Sequence, residues 1–303
     1  MEINLLAEFI KSNTKNIILN SDKCVKIDLI IGGGAFNGAY GYGIILFLKQ
    51  LERENKIKIN KISGCSVGSI LAVILLGNDE INMEKEYINL QKHLKEKGNL
   101  KYVKKFINKI VSNIIKNDND IALINDRLYI TKTNVETGEQ EVVSTYKNKR
   151  DVVNTIMSSC FIPYLTNGKK RYKNKYIDGI TPYLFKSKKN KILFINLAPI
   201  NMLKTMIVTG DGCDPKTRII EGLIDSQNFF HNNKSRMCSW VDEWKIHDFF
   251  IYRLAHLIIK FILLIIDYFD INGLPYIISN HWLYKILYNS ITILCKDILF
   301  TIS

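Results

Sequence analysis

The chain has 303 residues and a formal net charge of +13, and 47% of its residues are hydrophobic. This length and hydrophobic content exclude a disordered chain and are sufficient for one large domain or a domain with an appendage. The positive charge indicates an anionic partner, either a phospholipid surface or a nucleic acid. The richness of the chain in Lys, Asn, Ile and Tyr explains part of this charge without any partner.

Six cysteines are scattered along the chain without any C-x-x-C pair. This pattern argues against a zinc site and a disulfide framework, and it is typical of a reducing compartment. Residues 1–20 lack the basic start, apolar run and small-residue cleavage site of a signal peptide. We therefore expect an intracellular protein without a structural metal.

The N-terminal part begins with a predicted amphipathic helix and a linker over residues 1–23. The stretch KIDLII, Lys26–Ile31, then predicts the first core strand. It runs into a glycine-rich loop, Gly32–Tyr40, and an apolar helix, Gly43–Leu51. A strand, a glycine-rich loop and a helix in this order are typical of turns that bind phosphate or an oxyanion in α/β folds.

The central part continues the alternation of strands and helices. A short strand, KIKINKI, precedes an apolar helix, SILAVILL. Residues 80–118 predict two helices separated at Gly98-Asn99, with a basic and an apolar face that indicate either membrane docking or a solvated outer helix. Residues 120–145 predict a β-hairpin.

Three further elements follow the hairpin: a short helix over Asp151–Cys160, a short strand over Lys175–Asp178 and a core strand over Lys191–Leu197. Strands that alternate with helices indicate a mainly parallel sheet in a three-layer α/β/α sandwich. From about Ser235 the sequence becomes apolar and aromatic, but charged residues interrupt each stretch before the ~18–20 uncharged residues of a membrane span. Its Trp and Tyr residues are typical of interfacial helices, and helices packed on protein are the alternative.

The pentapeptide Gly64-Cys65-Ser66-Val67-Gly68 has the form G-x-S-x-G between a predicted strand and helix. This context predicts a nucleophile elbow, a sharp turn with Ser66 at its tip and with Gly64 and Gly68 allowing close backbone approach. The N–H groups that open the helix favour negative charge at the same point. A plain strand–turn–helix packed through small residues is the alternative.

The glycine-rich loop lies about 30 residues before Ser66. It does not end in Gly-Lys-Ser/Thr and lacks G-x-G-x-x-G, which argues against a Walker A loop and a dinucleotide fingerprint. Its bare backbone N–H groups suit an oxyanion hole, in which they stabilise the negative oxygen of an acyl-transfer intermediate.

A serine hydroxyl needs a base to become a nucleophile. The five histidines stand in no evident functional context: His93, His231, His247, His256 and His281. Asp178 follows a predicted strand and precedes Gly179, so we expect its carboxylate at the carboxyl edge of the sheet beside the elbow. An aspartate that merely begins a turn is the alternative.

In their order and spacing, the glycine loop at 32–38, the pentapeptide around Ser66 and Asp178-Gly179 resemble the patatin-like phospholipases over about residues 25–235. The stretches LYITKTNVETGE (128–139) and SSCFIPYL (158–165) are similar to segments of the family. The resemblance implies a patatin-style α/β sheet and a Ser66–Asp178 dyad in place of a triad. It also implies hydrolysis of acyl esters of phospholipids or neutral lipids, without a metal or other cofactor.

Two positions depart from the family pattern. The family loop usually reads Gly-Gly-Gly, one residue, Arg or Lys, Gly, whereas Asn37 stands here at the basic position. Either Phe36 is inserted, or the loop runs over 33–38 with Ala35 as its third residue, and the second reading keeps the spacing to the last glycine. Ile180 stands where Gly or Ala usually follows Asp-Gly. The N–H groups that we assign to the oxyanion hole are those of Gly33, Gly34 and Ala35.

The leading hypothesis is therefore a lipid acyl hydrolase that works at a membrane surface, with no nucleic acid partner. One alternative is an α/β-hydrolase with the triad Ser66, Asp178 and His231. Another is a membrane-associated scaffold without activity, which the altered glycine loop motivates. We divide the chain into an N-terminal helix and linker (1–23), a patatin-like catalytic domain (24–235) and a C-terminal hydrophobic helical region (236–303).

Overall fold

The computed structural model describes residues 2–15, 17, 24–77, 82–186, 189–207, 214–254 and 257. The strands are β1 (Val25–Ile31), β2 (Ile57–Gly64), β3 (Leu128–Asn134), β4 (Glu139–Val143), β5 (Tyr176–Ile177), β6 (Lys191–Ile195) and β7 (Cys238–Trp240). The helices are α1 (Glu2–Lys15), α2 (Gly38–Arg53), α3 (Val67–Leu76), α4 (Met83–Lys97), α5 (Tyr102–Ile114), α6 (Asp118–Ile124), α7 (Lys149–Ser159), α8 (Leu203–Ile207) and α9 (Pro215–Asn232). Residues 246–254 are also helical.

These strands form one sheet in the order β4-β3-β2-β1-β6-β7, with β5 paired to β3. The four central strands are parallel, and β4, β5 and β7 are antiparallel to their neighbours. The central strand β1 is buried over its last five residues, as expected for a parallel strand with both faces covered. The sheet is flanked by helices, which confirms the α/β/α fold predicted from the sequence.

The two faces of the sheet are covered differently. The face with Leu29 and Ile31 belongs to a large core that includes buried side chains of α2, α3 and α9. The opposite face, with Ile30 and Phe194, packs against Phe185 and residues 241–252 in a smaller aromatic core. The smaller core holds the residues that follow β7 against the end of the sheet where β1 and β6 stop.

Several elements differ from their predictions. Helix α2 begins at Gly38 rather than Gly43. Its glycines let it cross α9 at backbone distance, since a Cβ on Gly43 would lie 2.0 Å from the carbonyl oxygen of Ile219. The lysine-rich segment forms α4 and α5, and α5 buries its apolar face against α3 and α7, as a solvated outer helix does.

Strand β7 extends the sheet beyond residue 235, where the sequence analysis ended the catalytic domain. The boundary therefore does not coincide with the edge of the sheet, and the division of the chain stays a prediction. Most of the apolar C-terminal region, from residue 258 onward, lies outside the described residues. Among those that are described, no helix has the length and apolar character needed to span a bilayer.

Candidate active site

The turn between β2 and α3 holds Ser66 in a strained backbone conformation. Ser66 has φ of 51° and ψ of −133°, which a non-glycine residue rarely adopts. Such strain persists only where the surrounding structure enforces it, and it is frequent at functional sites. The turn therefore has the geometry of the nucleophile elbow that the pentapeptide predicts.

The two motif glycines allow three backbone segments to meet at this turn. A Cβ on Gly68 would lie 2.4 Å from the carbonyl oxygen of Ile31, at the end of β1. A Cβ on Gly64 would lie 2.6 Å from the carbonyl oxygen of Gly68. Because neither position has room for a side chain, α3 begins directly against the ends of β1 and β2.

Asp178 lies beside Ser66, and the Ser66 hydroxyl favours the ionised form of its carboxylate. The carboxylate accepts a hydrogen bond from the backbone N–H of Ile180, at 2.9 Å. Burial raises the pKa of Asp178 to about 6, although the Ser66 hydroxyl and the Ile180 N–H oppose this rise. The carboxylate is thus ionised at neutral pH, and its pKa lies close enough to neutrality for it to accept a proton and return it.

The element that places Asp178 beside the elbow differs from the one predicted from the sequence. We expected a strand ending at the carboxyl edge of a parallel sheet, but β5 has two residues and runs antiparallel to β3. Asp178 therefore lies alongside β3, with Gly179 packed so closely that a Cβ would lie 2.1 Å from the carbonyl oxygen of Thr131. The short strand was correctly located, and its direction in the sheet was not foreseen.

The C-terminal end of α7 joins the elbow to the Asp178 loop. The hydroxyl of Ser159 accepts a hydrogen bond from the N–H of Ser66 at 2.9 Å. The carbonyl oxygen of Ser159 accepts one from Gly179 N–H, and that of Phe161 accepts one from Asp178 N–H. The sequence analysis singled out SSCFIPYL but assigned Ser159 no part in the site.

The hairpin of β3 and β4 holds the same loop from the other side. The amide of Gln140 donates to the carbonyl oxygens of Gly179, at 2.8 Å, and of Thr181. The hydroxyl of Thr131 also donates to Thr181, and that of Thr133 donates to the carbonyl oxygen of Asp178 at 2.8 Å. Sequence reasoning missed Gln140, because no motif marks a residue that acts on a loop 39 positions away.

The glycine-rich loop approaches the elbow through Gly33, whose Cβ would lie 3.1 Å from the Cβ of Ser66. Gly32 still belongs to the sheet, since its N–H donates to Ile195. This favours the reading in which the loop proper begins at Gly33. The Gly33 N–H faces the sulfur of Cys65, and the N–H groups of Gly33, Gly34 and Ala35 make no backbone hydrogen bond within the described part of the chain.

Asn37, which stands at the family's basic position, is buried and anchors the loop. Its side-chain amide donates to the carbonyl oxygens of Leu197, at 2.8 Å, and Met202, at 3.2 Å. Its side-chain oxygen accepts from the Thr205 hydroxyl at 2.8 Å. The loop is therefore tied to the segment that follows β6 by neutral hydrogen bonds rather than by a cation.

A groove of about 1040 Å³ opens beside the elbow, with Gly32, Gly33 and Ile180 at one end. The wall on the side of residues 244–252 is largely aromatic, with Trp244 and Tyr252. Its rim carries polar and charged groups from the loop that precedes β7. An apolar cleft with a few polar groups beside a strained serine is a typical ligand site.

Two buried cysteines lie near Asp178, whereas His231 and His93 lie away from the site. Burial and the charge of Asp178 raise the pKa values of Cys65 and Cys160, so both thiols stay protonated at neutral pH. His231 lines a separate polar groove with residues of α1, and His93 pairs with Asn99. In the ranges that the structure covers, no three His, Cys, Asp or Glu side chains gather as metal ligands would.

The fold and this site can be compared with known proteins. A family model described as Patatin-like phospholipase matches residues 29–181, about half of the chain. The chain therefore belongs to the patatin-like phospholipase family.

Two mouse proteins share part of this sequence. One is the 1-acylglycerol-3-phosphate O-acyltransferase Pnpla3, 26% identical over 158 residues, which make up 50% of this chain and 38% of that protein. The other is an omega-hydroxyceramide transacylase, 24% identical over 178 residues, 54% of this chain and 28% of that protein. The chain thus matches well under two thirds of either relative, and both are named for the transfer of acyl groups to lipids.

Proposed function

We propose that this protein is a lipid acyl hydrolase with Ser66 as nucleophile and Asp178 as general base. The observation that carries the proposal is the position of the buried Asp178 carboxylate beside Ser66, which stands on a strained elbow. Family membership supports action on a lipid ester. No cofactor is needed, because the acid–base chemistry resides in the two side chains.

The reaction follows from this arrangement. Asp178 takes the hydroxyl proton while the Ser66 oxygen bonds to the ester carbonyl carbon and the carbonyl electron pair moves onto its oxygen. We assign the N–H groups of Gly33, Gly34 and Ala35 to that oxyanion, because Gly33 lies against Ser66 and the three groups make no backbone hydrogen bond among the described residues. Collapse breaks the bond to the alcohol, which leaves with the proton from Asp178. Asp178 then deprotonates a water molecule, whose oxygen bonds to the acyl carbon, and the bond to the Ser66 oxygen breaks as that oxygen takes the proton back and the fatty acid leaves.

A fluorophosphonate probe tests the nucleophile directly. We expect labelling of the wild type at Ser66 and none in Ser66→Ala, because the probe reacts only with an activated serine. Hydrolysis of a soluble p-nitrophenyl ester should fall by at least about a thousandfold in the same variant. Ser144→Ala is the matched control, since its hydroxyl contacts only Asp126 at 3.5 Å. Full activity of folded Ser66→Ala would refute the proposal, and a folded, lipid-binding wild type without labelling would favour the inactive scaffold.

A second candidate is acyl transfer to a lipid alcohol in place of water. The printed activities of both mouse relatives favour it, and so does a groove large enough to take an acceptor beside the elbow. Supplying a radiolabelled acyl donor with a lysophospholipid separates the two: a hydrolase releases free fatty acid, whereas a transacylase places the label on the acceptor. Both require the same serine.

The triad alternative has little geometric support, since His231 lines a different groove and no described histidine bonds to Asp178. Association with a membrane surface and an intracellular location remain part of the proposal. The described cysteines are free thiols, which suits a reducing compartment.

A further inference from the structure

The helical residues 246–254 and 257 present an apolar stripe to solvent. Ile246 and Phe250 have 90% and 65% of their surface exposed, and Leu254 and Leu257 are also exposed. Their spacing of four, four and three residues places them along one side of a helix. A surface helix of a soluble domain normally turns polar residues outward. The outward side of this helix is apolar instead.

The inner side of this helix is held in place by specific contacts. The Tyr252 hydroxyl donates to the carbonyl oxygen of Pro182 at 3.2 Å, and its ring packs edge-on against Phe194 with centroids 5.7 Å apart. Trp244 packs against Tyr252 and Phe249. Because the inner side is fixed on the sheet, the outward direction of the apolar stripe follows from the fold.

The helix that carries the stripe also borders the groove beside the elbow. Trp244, Ile251 and Tyr252 line this groove together with Gly32 and Gly33. A lipid that lies against the outer side of the helix is therefore only one helix thickness from the groove. An ester substrate that leaves a bilayer needs such an apolar path, since exposing its acyl chains to water costs ~0.8 kcal/mol per CH₂.

The charges around the stripe suit phospholipid headgroups. Lys245, just before the helix, and Arg253, on it, are exposed, and Lys234 and Arg236 line the groove. Three carboxylates lie nearby and bond within the fold: Asp242 with Ile192 N–H, Glu243 with the Asn233 amide, and Asp248 with Lys245 N–H and His247. The four basic side chains therefore exceed the carboxylates by one. Cations beside an apolar stripe are the pattern of an interfacial helix on an anionic membrane.

We propose that the stripe of Ile246, Phe250, Leu254 and Leu257 is a docking surface that inserts into an anionic phospholipid bilayer and sets the groove of Ser66 at its surface. This proposal rests on the proposed function for its purpose, but the binding that it states is measured separately. It commits to the lipid surface rather than to a second copy of the chain or to another protein.

Vesicle flotation with the full chain tests the proposal. The protein carries Ser66→Ala so that lipid is not consumed, and the vesicles contain equimolar phosphatidylcholine and phosphatidylglycerol. We expect the pair Ile246→Asp and Phe250→Asp to lower the partition coefficient by at least about tenfold, because two apolar side chains no longer enter the bilayer. The milder pair Ile246→Ser and Phe250→Ser should give an intermediate loss.

The matched control is the pair Leu123→Asp and Val142→Asp, two exposed apolar residues on α6 and on the edge strand β4. We expect unchanged flotation for this pair, and unchanged soluble p-nitrophenyl ester hydrolysis for the stripe variants that keep Ser66. Equal loss in both pairs, flotation that the stripe pair leaves unchanged, or a change of oligomeric state without a change in flotation would overturn the docking surface. Loss of soluble ester hydrolysis in Ser66→Ala alone reports on the proposed function, so the two proposals can fail independently.

Discussion

The carboxylate of Asp178 lies beside Ser66 with its pKa raised from about 3.8 to about 6, chiefly because the fold removes it from water. The folded state therefore binds this proton more tightly than the unfolded chain does. The resulting contribution to stability is full below about pH 3.8 and is lost as the pH rises through 6. At neutral pH the ionised, partly buried group costs stability.

Asp178→Asn is accordingly expected to stabilise the protein while abolishing ester hydrolysis. The amide removes the cost of the buried charge and retains an oxygen that accepts from the N–H of Ile180. We expect the free energy of unfolding to rise by about 1–3 kcal/mol at about pH 8, since one pKa unit corresponds to ~1.4 kcal/mol. Urea unfolding monitored by circular dichroism measures it.

The gain should disappear at about pH 4, where the wild-type carboxyl is protonated in the folded state. Asp126→Asn, at an exposed carboxylate, is the control and should give no such pH-dependent gain. A variant that is equally destabilised at both pH values would contradict the assignment of a raised pKa to Asp178.

At the scale of elements, the hairpin of β3 and β4 holds the loop of Asp178, the proposed base. Ile180 has φ of 60°, which is strained for a β-branched residue, and its N–H is the one that bonds to Asp178. Gln140 holds the carbonyl oxygens on either side of Ile180. We infer that β4 maintains the strained loop in the conformation that orients the carboxylate.

Gln140→Leu keeps the approximate size of the side chain and removes its donor. We expect kcat to fall by about tenfold with little change in KM, because an orienting interaction is lost while the groove is unchanged. The pH at which activity rises, expected near 6 in the wild type, should move upward as the Ile180 N–H bond weakens.

Glu141→Gln is the matched control for this prediction. The neighbouring residue of β4 faces Lys132, Asn134 and Tyr176 of β5, and not residues 178–181 themselves. A pH profile of Gln140→Leu that coincides with that of the wild type would argue against the positioning role.

At the scale of the whole molecule, the residues after 235 complete the sheet. Strand β7 pairs with β6, and Val241, Trp244 and Tyr252 cover Phe194 on the thinner face. A catalytic domain that ended at residue 235 would leave that face of the sheet exposed. Fully burying one large apolar side chain contributes ~1.5–3 kcal/mol, so the loss of several such contacts is a substantial fraction of the stability of a domain.

Two truncated chains test this conclusion. The chain 1–257 keeps every described contact and is expected to melt cooperatively. The chain 1–235 should melt at a temperature lower by at least about 10 °C or aggregate, because it lacks β7 and the aromatic cover. Equal melting temperatures would support a domain boundary at residue 235.

Much of this protein could be predicted from the sequence because the relevant signals are local. Strand periodicity, the glycines that flank Ser66 and the helix break at Gly98 act over a few residues, and each has a direct steric meaning. The family pattern added Asp178, which composition and periodicity alone do not distinguish from an ordinary turn aspartate. The order of strands and helices was sufficient to predict a layered α/β fold.

The tertiary structure decided what depends on contacts between distant positions. Ser159 reaches Ser66 across 93 residues and Gln140 reaches Gly179 across 39, and neither interaction leaves a local pattern. The antiparallel direction of β5 and the addition of β7 follow from which edge of the sheet was free to pair. Only the packing of Tyr252 and Trp244 on the sheet turned an apolar stretch of sequence into an outward-facing stripe, because the side that a helix exposes is set by what covers its other side.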